Sequence, residues 1–342
     1  MLSIIAVGAV MVAQGAAQVA KMQNLVTFGD SYTDEGRFDY FSNHGKPPPT
    51  GAMLPADNDT YSGGFAWGRL VANTVGAAYY DYAVGGAMCS NTVVNRTYPF
   101  TTNGLFPSVM EYEIPTFQTD LETASLYPNR QPNNTVYALW IGTNDLGIDG
   151  LLGDMQSPGQ TITSFVNCVW SFFDQIYNTG GRQFVLLNEL PLQFAPMYAA
   201  PATGGFNDRY WRDPAAYDLS EFQNKMIEYT TSVNTLFYYG AAFNLRVQSR
   251  WPGATFSIFD VHSMLMDVLA NPGAYLDAPA NVTVPYRACV HNQPCVVSPN
   301  PLTSFLWFDE LHPSARMEEV IAKNFIDVVN GNSQYGTTYS SM

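Results

Sequence analysis

Three short polar segments carry residue types that together could cleave an ester bond. The first contains Ser31 within Gly-Asp-Ser, the second contains Asn144 within Gly-Thr-Asn-Asp, and the third places Asp309 three residues before His312. A serine attacks a carbonyl when a histidine removes its proton, and an aspartate can hold that histidine in the required tautomer. An asparagine amide can stabilise the oxyanion that forms. Each segment alone is also typical of turns and helix caps, so the hypothesis depends on their conjunction.

The segments that would position these residues alternate between strand and helix patterns. Apolar runs predict five strands, and amphipathic or apolar-rich stretches between and after them predict four helices. This alternation predicts a three-layer α/β/α sandwich around a parallel sheet of about five strands, with the site beyond the carboxyl ends of the strands. The predicted strands are 24–29, 79–84, 135–141, 183–187 and 255–259, and the predicted helices are 65–75, 161–177, 219–244 and 314–329.

Two long irregular stretches, 193–217 and 271–304, are rich in Pro, Gly and aromatic residues. Segments of this kind often form the wall or lid of a binding site, and ordinary surface loops are the alternative. Asp34 follows the Gly-Asp-Ser segment closely, and we expect it to brace the turn that carries Ser31 without reacting. Asp260 and His262 offer a second carboxylate and base, but their place after a predicted strand favours a helix cap.

The composition excludes several classes of protein. The 342 residues include 29 Asp+Glu and 15 Lys+Arg, which gives a formal net charge of −14. Sequence-independent nucleic-acid binding and docking on anionic lipid both require a basic surface, so neither is expected. With 46% hydrophobic and 13% charged residues, the chain also differs from disordered proteins.

The amino-terminal segment predicts export from the cell. Residues 1–17 join an apolar run to small residues, which is typical of a signal peptide, although the segment lacks the usual basic residue. A buried first strand or helix is the alternative interpretation. Four sequons, at Asn58, Asn95, Asn133 and Asn281, fit a secreted glycoprotein. We expect residues 18–342 to form a single domain, because no repeat or linker divides them.

The four cysteines predict two disulfide bonds in an oxidising compartment. Three pairings are possible for four cysteines. Cys289 and Cys295 lie six residues apart in a Pro-rich stretch, so they are the favoured pair, and Cys89–Cys168 follows by elimination. A zinc site is the rival interpretation, but no Cys-x-x-Cys sequence or neighbouring pair of histidines supports it.

Taken together, the three polar segments resemble the SGNH, or GDSL-type, hydrolase superfamily, whose fold is flavodoxin-like. The resemblance covers roughly residues 25–329 and includes the stretches 61–67, 187–192 and 260–275. It implies that Ser31, Asp309 and His312 are catalytic, and that Ser31, Asn144 and a glycine form the oxyanion hole. Gly85 aligns best with that glycine, and its neighbour Gly86 is the alternative.

Within the superfamily, the order and spacing of the segments most resemble the secreted fungal acetylesterases of carbohydrate esterase family 16. This resemblance implies a secreted serine esterase that removes acetyl groups from carbohydrates such as acetylated xylo-oligosaccharides. It implies no metal or organic cofactor, a small-molecule or oligosaccharide ester as substrate, no nucleic-acid or membrane partner, and a monomer. A GDSL-type lipase or phospholipase is one alternative. A catalytically silent secreted glycan-binding protein is another.

Overall fold

The computed structural model describes residues 22–99, 101, 104–200, 210–211, 216–289 and 293–341. The predicted signal segment, 1–17, lies outside these residues. No helix in the described part of the chain has the length and apolar character needed to cross a membrane.

A six-stranded sheet forms the centre of the described structure, in the order β2-β1-β3-β4-β5-β8. The first five strands of that order are parallel, and β8 pairs with β5 in the antiparallel direction. A separate two-stranded ribbon joins β6 to β7. The strands are β1 (Asn24–Gly29), β2 (Ala78–Asp81), β3 (Thr135–Trp140), β4 (Gln183–Leu187), β5 (Thr255–Phe259), β6 (Arg287–Ala288), β7 (Val296–Val297) and β8 (Gly336–Ser340).

Helices cover both faces of the sheet, which confirms the predicted three-layer α/β/α architecture. Two short π-helical segments adjoin α-helices: Val109–Glu113 precedes the helix Ile114–Asp120, and Phe243–Val247 follows the helix Leu219–Ala242. Short 3-10 turns lie at Leu192–Phe194, Pro272–Ala274 and Leu302–Ser304. The α-helices are α1 (Arg37–His44), α2 (Trp67–Val75), α3 (Ile114–Asp120), α4 (Thr143–Leu146), α5 (Ile162–Asn178), α6 (Leu219–Ala242), α7 (Val261–Ala270) and α8 (Ala315–Val329).

The sheet separates two apolar cores because successive strand residues point to opposite faces. In β1, Val26 and Phe28 pack with α1, α3, α5 and part of α6, whereas Leu25 packs with α2, α7 and α8. Every residue of β1 and of β3 is buried. Burial on both faces explains why these strands are mostly apolar in sequence.

The structure corrects the predicted end of the second strand and adds one strand to the central sheet. That strand ends at Asp81, not at residue 84: the Ala83 amide donates to the Asp81 side chain, and beyond Asp81 only the amides of Tyr82 and Val84 still donate to the Thr27 and Gly29 carbonyls of β1. The added strand is β8, whose sequence Gly-Thr-Thr-Tyr-Ser contains no apolar run. It lies at the edge of the sheet and is only partly buried, so the hydrophobic pattern gave no signal for it.

Both predicted disulfide bonds are present in the structure. Cys89 is bonded to Cys168, and Cys289 is bonded to Cys295. The first bond ties the segment after β2 to α5, and the second closes a short loop beside the β6–β7 ribbon.

The two disulfide bonds should contribute unequally to stability. Cys89 and Cys168 are 79 residues apart, and Cys289 and Cys295 are six apart. In the chain-entropy model a longer closed loop restricts the unfolded chain more, so Cys89→Ala/Cys168→Ala should lose about 4 kcal/mol of unfolding free energy. Cys289→Ala/Cys295→Ala is the matched control and should lose less. Denaturant titration measures both, and an equal or larger loss in the control would contradict the expectation.

Candidate active site

Ser31, His312 and Asp309 lie together at the carboxyl end of the sheet. Ser31 Oγ is 2.7 Å from His312 Nε2, and His312 Nδ1 is 2.8 Å from Asp309 Oδ1. All three residues are buried, with Ser31 the most exposed at 8%. Since Nδ1 faces a carboxylate, it carries the ring proton, and Nε2 is left to accept the hydrogen bond that the Ser31 hydroxyl donates.

The turn after β1 holds Ser31 at its tip. Gly29 ends the strand with φ +142°, and a Cβ at this position would lie 1.9 Å from the carbonyl oxygen of Trp140. Asp30 then stabilises the turn, because its carbonyl accepts from Thr33 and Asp34 and its carboxyl accepts from the Tyr32 amide. The Ser31 N–H has no hydrogen-bond partner within the described residues and is therefore available to a ligand.

The Asp309–His312 pair is fixed by backbone and aromatic contacts. Asp309 Oδ1 accepts from the backbone N–H groups of Leu311 and His312, and Asp309 Oδ2 accepts from the Tyr210 hydroxyl at 2.9 Å. The ring of Tyr61 stacks on the imidazole of His312 at 5.1 Å between centroids, and the ring of Tyr210 meets it edge-on. These contacts limit the imidazole to one orientation.

Sequence reasoning did not identify Tyr61 and Tyr210 as site residues. Tyr61 begins one of the stretches that carry the family resemblance, and Tyr210 lies in the irregular stretch 193–217, for which a wall or lid of the site and an ordinary surface loop are the two interpretations. Both residues line the cavity above Ser31. Neither has a local pattern that distinguishes it from the other tyrosines, because its role depends on distant chain segments.

The structure contradicts the use of the Gly85 amide in the oxyanion hole. The Gly85 N–H is donated to Asp34 Oδ2 at 2.6 Å, so it cannot face an oxyanion. The same carboxyl group of Asp34 accepts from the backbone of Gly36, Arg37 and Phe38, which confirms that Asp34 braces this region.

Gly86 is the glycine whose amide is available. It is half-buried, it has φ +83°, and its N–H has no hydrogen-bond partner in the described part of the chain. Asn144 lies beside it at the start of α4, and its Nδ2 donates to the carbonyl of Ala87 at 3.1 Å and to Asp30 Oδ2 at 3.4 Å. The longer of these two contacts is weak, so the second amide proton is accessible to a substrate oxygen.

Several buried carboxyl groups lie close to the turn after β1 and to the start of α4. Burial raises the pKa of Asp30 to about 8 and that of Asp145 to about 7, although hydrogen bonds from backbone N–H groups oppose the shift. Burial also raises the pKa of Glu189 well above its usual range. Glu189 lies against Gly142, where a Cβ would approach its Oε1 to 1.9 Å. Gly142 therefore needs to be a glycine for β3 to lead into α4 above this carboxyl group.

A cavity of about 210 Å³ opens above Ser31. Its walls combine aromatic and aliphatic side chains with a few polar groups, among them Phe38, Tyr61, Arg96, Phe106, Ile148, Tyr198, Tyr210 and Leu311. The volume is below the roughly 300–1,000 Å³ that is typical of pockets for larger ligands. The cavity therefore suits a small group on the substrate.

The rival carboxylate and base lie outside this cavity. Asp260 caps α7, accepting from the Ser263 backbone and hydroxyl, as the sequence predicted. His262 borders a different cavity, and desolvation lowers its pKa.

Comparison with known proteins identifies the family. A model of the GDSL-like lipase/acylhydrolase family matches residues 25–325. The chain belongs to this family and is a carboxylic ester hydrolase.

Two fungal relatives are similar over most of their length. The chain is 46% identical to an acetylesterase of Hypocrea jecorina over 316 residues, which cover 92% of this chain and 90% of the relative. It is 26% identical to an acetylesterase of Thermothelomyces thermophilus over 327 residues, covering 90% of this chain and 88% of the relative.

Solved structures show a more distant similarity. The α/β hydrolase LAE5 from the Lake Arreo metagenome matches with a TM-score of 0.44 and 13% identity, covering 92% of this chain and 98% of its own. The acetylxylan esterase Axe2 of Geobacillus stearothermophilus matches with a TM-score of 0.39 and 12% identity, covering 91% and 96%.

The buried carboxyl groups predict a stability that falls as the pH rises. The unfolded carboxyl groups ionise near pH 4, whereas burial raises the folded pKa of Asp30 and Asp81 to about 8 and that of Asp145 to about 7. Between these limits only the unfolded state releases protons, so the free energy of unfolding decreases with pH. We expect a lower melting temperature at pH 8 than at pH 5.

Asp145→Asn tests whether a buried carboxyl group causes this loss of stability at higher pH. Its side-chain oxygen can still accept from the Cys89 amide, which Asp145 binds at 3.0 Å, but it cannot ionise. The decline between pH 5 and pH 8, followed by calorimetry, should be smaller in this variant. A melting temperature that rises over this range in the wild type would contradict the assignment.

Proposed function

We propose that the chain is a secreted serine esterase that removes acetyl groups from carbohydrates such as acetylated xylo-oligosaccharides. The observation that carries the proposal is the pair of hydrogen bonds that joins Ser31 to His312 and His312 to Asp309 beneath a small cavity. The 46% identity to a fungal acetylesterase over nearly the whole chain supports the acetyl specificity.

In the proposed reaction, His312 Nε2 takes the proton of Ser31 as the Ser31 oxygen attacks the ester carbonyl. Asp309 stabilises the imidazolium that forms. The tetrahedral intermediate collapses, His312 gives its proton to the sugar oxygen, and the alcohol leaves. Water then attacks the acyl-enzyme with His312 again as base, which releases acetate and restores the Ser31 hydroxyl.

The proposed oxyanion hole consists of the N–H groups of Ser31 and Gly86 and the amide of Asn144. The first two groups have no hydrogen-bond partner within the described residues, so they need not exchange one bond for another when the oxyanion forms. Asn144 is held in place by the Ala87 carbonyl. Fixed donors of this kind stabilise developing charge because they require no reorganisation during the reaction.

We also propose that residues 1–17 are a signal peptide and that the mature protein is one secreted domain that functions as a monomer. Two disulfide bonds support an oxidising compartment. The sequon residues Asn58, Asn95 and Asn133 are exposed, and Asn281 is partly buried, so the first three are the more accessible to glycosylation.

Ser31→Ala should abolish ester hydrolysis and leave the fold intact. Loss of the nucleophile should reduce kcat on a chromogenic acetate ester by about 10⁴-fold or more. The matched control is Ser263→Ala, which removes a serine beside the rival pair Asp260 and His262. Circular dichroism should be unchanged in both variants. Full turnover in Ser31→Ala, or its loss in Ser263→Ala, would refute the proposed site.

The substrate proposal predicts a preference for short acyl chains. A cavity of about 210 Å³ accommodates acetate more readily than octanoate, so kcat/KM on p-nitrophenyl acetate should exceed that on the octanoate. Acetylated xylo-oligosaccharides should release free acetate, with the remaining acetyl positions read by NMR. A preference for octanoate would instead indicate a lipase, and binding of the oligosaccharides without turnover would indicate a glycan-binding protein.

A further inference from the structure

We infer that Arg96 is a positioning residue of the oxyanion hole, which fixes the Gly86 backbone and places a positive charge beside the developing oxyanion. The inference rests on the proposed function, since it concerns the charge that forms during ester cleavage. Arg96 lines the same cavity as Ser31, Gly86, Asn144 and His312.

The contact between Arg96 and Gly86 is direct. Arg96 Nη1 donates a hydrogen bond to the Gly86 carbonyl at 2.5 Å. A Cβ on Gly86 would lie 3.6 Å from the same nitrogen and 3.0 Å from Cζ of Phe106. The guanidinium group of Arg96 and the ring of Phe106 therefore both lie close to this glycine. Gly86 also has φ +83°, a conformation that glycine leaves easily unless neighbours hold it. Arg96 therefore restricts the backbone whose N–H would contact the oxyanion.

The surroundings of Arg96 reduce the screening of its charge by water. The guanidinium carbon lies 4.6 Å from the centroid of the Phe106 ring, and Phe106 itself is buried. The Arg96 side chain is 26% exposed. Burial lowers the pKa of Arg96, yet arginine keeps its proton in proteins, so the cavity contains a cation at neutral pH.

No close carboxylate among the described residues neutralises this cation. The nearest ion-pair partner is Asp149 at 3.9 Å, and its side chain is 66% exposed. Exposed pairs at such a distance are weak. Asp145 also acts on Arg96 electrostatically, but the Asp145 carboxyl binds the Cys89 amide instead. The positive charge therefore remains available to a negative charge that forms in the cavity.

Two anions could meet this cation: the transient oxyanion, or a permanent carboxylate on the substrate. The geometry favours the oxyanion, because one guanidinium nitrogen is already bound to Gly86 and another faces Asp149. A substrate carboxylate could not form a two-point contact with the guanidinium group without displacing the Gly86 carbonyl from Nη1. A charge fixed beside the Gly86 peptide, in contrast, acts on the oxyanion without moving.

The test compares Arg96→Gln with Arg182→Gln on p-nitrophenyl acetate. Arg182 is the matched control, because its guanidinium also donates to backbone carbonyls and lies 3.8 Å from the centroid of an aromatic ring, that of Tyr177, outside the cavity. We expect Arg96→Gln to lower kcat by about 10- to 100-fold with KM changed less than about threefold, since the charge acts on the transition state. Arg182→Gln should keep wild-type kcat.

A second measurement separates oxyanion stabilisation from loss of structure. A boronic acid that binds Ser31 as a tetrahedral anion should lose affinity in Arg96→Gln by about the same factor as kcat/KM. Arg96→Lys, which keeps the charge, should retain more activity and more boronate affinity than Arg96→Gln. If Arg96→Gln fails to fold, Arg96→Met, which also lacks the charge, takes its place, and undiminished boronate affinity and kcat in that variant would overturn the inference.

Other results would also overturn it. One is a wild-type kcat in folded Arg96→Gln. Another is a defect confined to KM on acetylated xylo-oligosaccharides that carry a uronic acid, which would assign Arg96 to a substrate carboxylate. Ser31→Ala, assayed in parallel, keeps the two proposals distinguishable. An inactive Ser31→Ala beside a fully active Arg96→Gln refutes only the role of Arg96, whereas an active Ser31→Ala refutes the proposed function itself.

Discussion

The hydrogen bond between Ser31 and His312 joins positions 281 residues apart, and the arrangement of the site depends on keeping it intact. Ser31 is held by the turn after β1, and His312 by the segment that leads into α8. A buried imidazole can accept the serine proton only if its ring is fixed. Asp309, the Leu311 amide and the rings of Tyr61 and Tyr210 provide that constraint. The contacts that pack these side chains therefore also orient the catalytic groups.

The same region has an unusual electrostatic character. Burial raises the pKa of Asp30 and of Glu189 near the serine turn and so favours the uncharged form of both carboxyl groups. Arg96 also lines the cavity and keeps a positive charge without a close carboxylate partner among the described residues. A site with few negative charges below it and one cation beside it is suited to a reaction that creates an oxyanion. The acidic surface of the protein, with a net charge of −14, therefore says little about the cavity.

The sequence predicted the features that depend on local pattern. Apolar runs identified β1, β3, β4 and β5, and the positions of Ser31, Asp309 and His312 followed from short motifs. It did not predict β8, whose polar residues pair only because β5 offers an edge. Local pattern also could not decide whether Gly85 or Gly86 supplies an amide to the oxyanion hole. Only the structure shows that Asp34 binds the Gly85 amide and leaves Gly86 available.

The most direct test of the central claim is covalent labelling of the native protein with a fluorophosphonate, followed by peptide mass spectrometry. Fluorophosphonates react with a serine that a neighbouring base activates. If His312 activates Ser31, the label will be found on the peptide that contains Ser31, and His312→Ala will remove it. Label on another serine, or equal labelling of Ser31 in His312→Ala, would contradict the account.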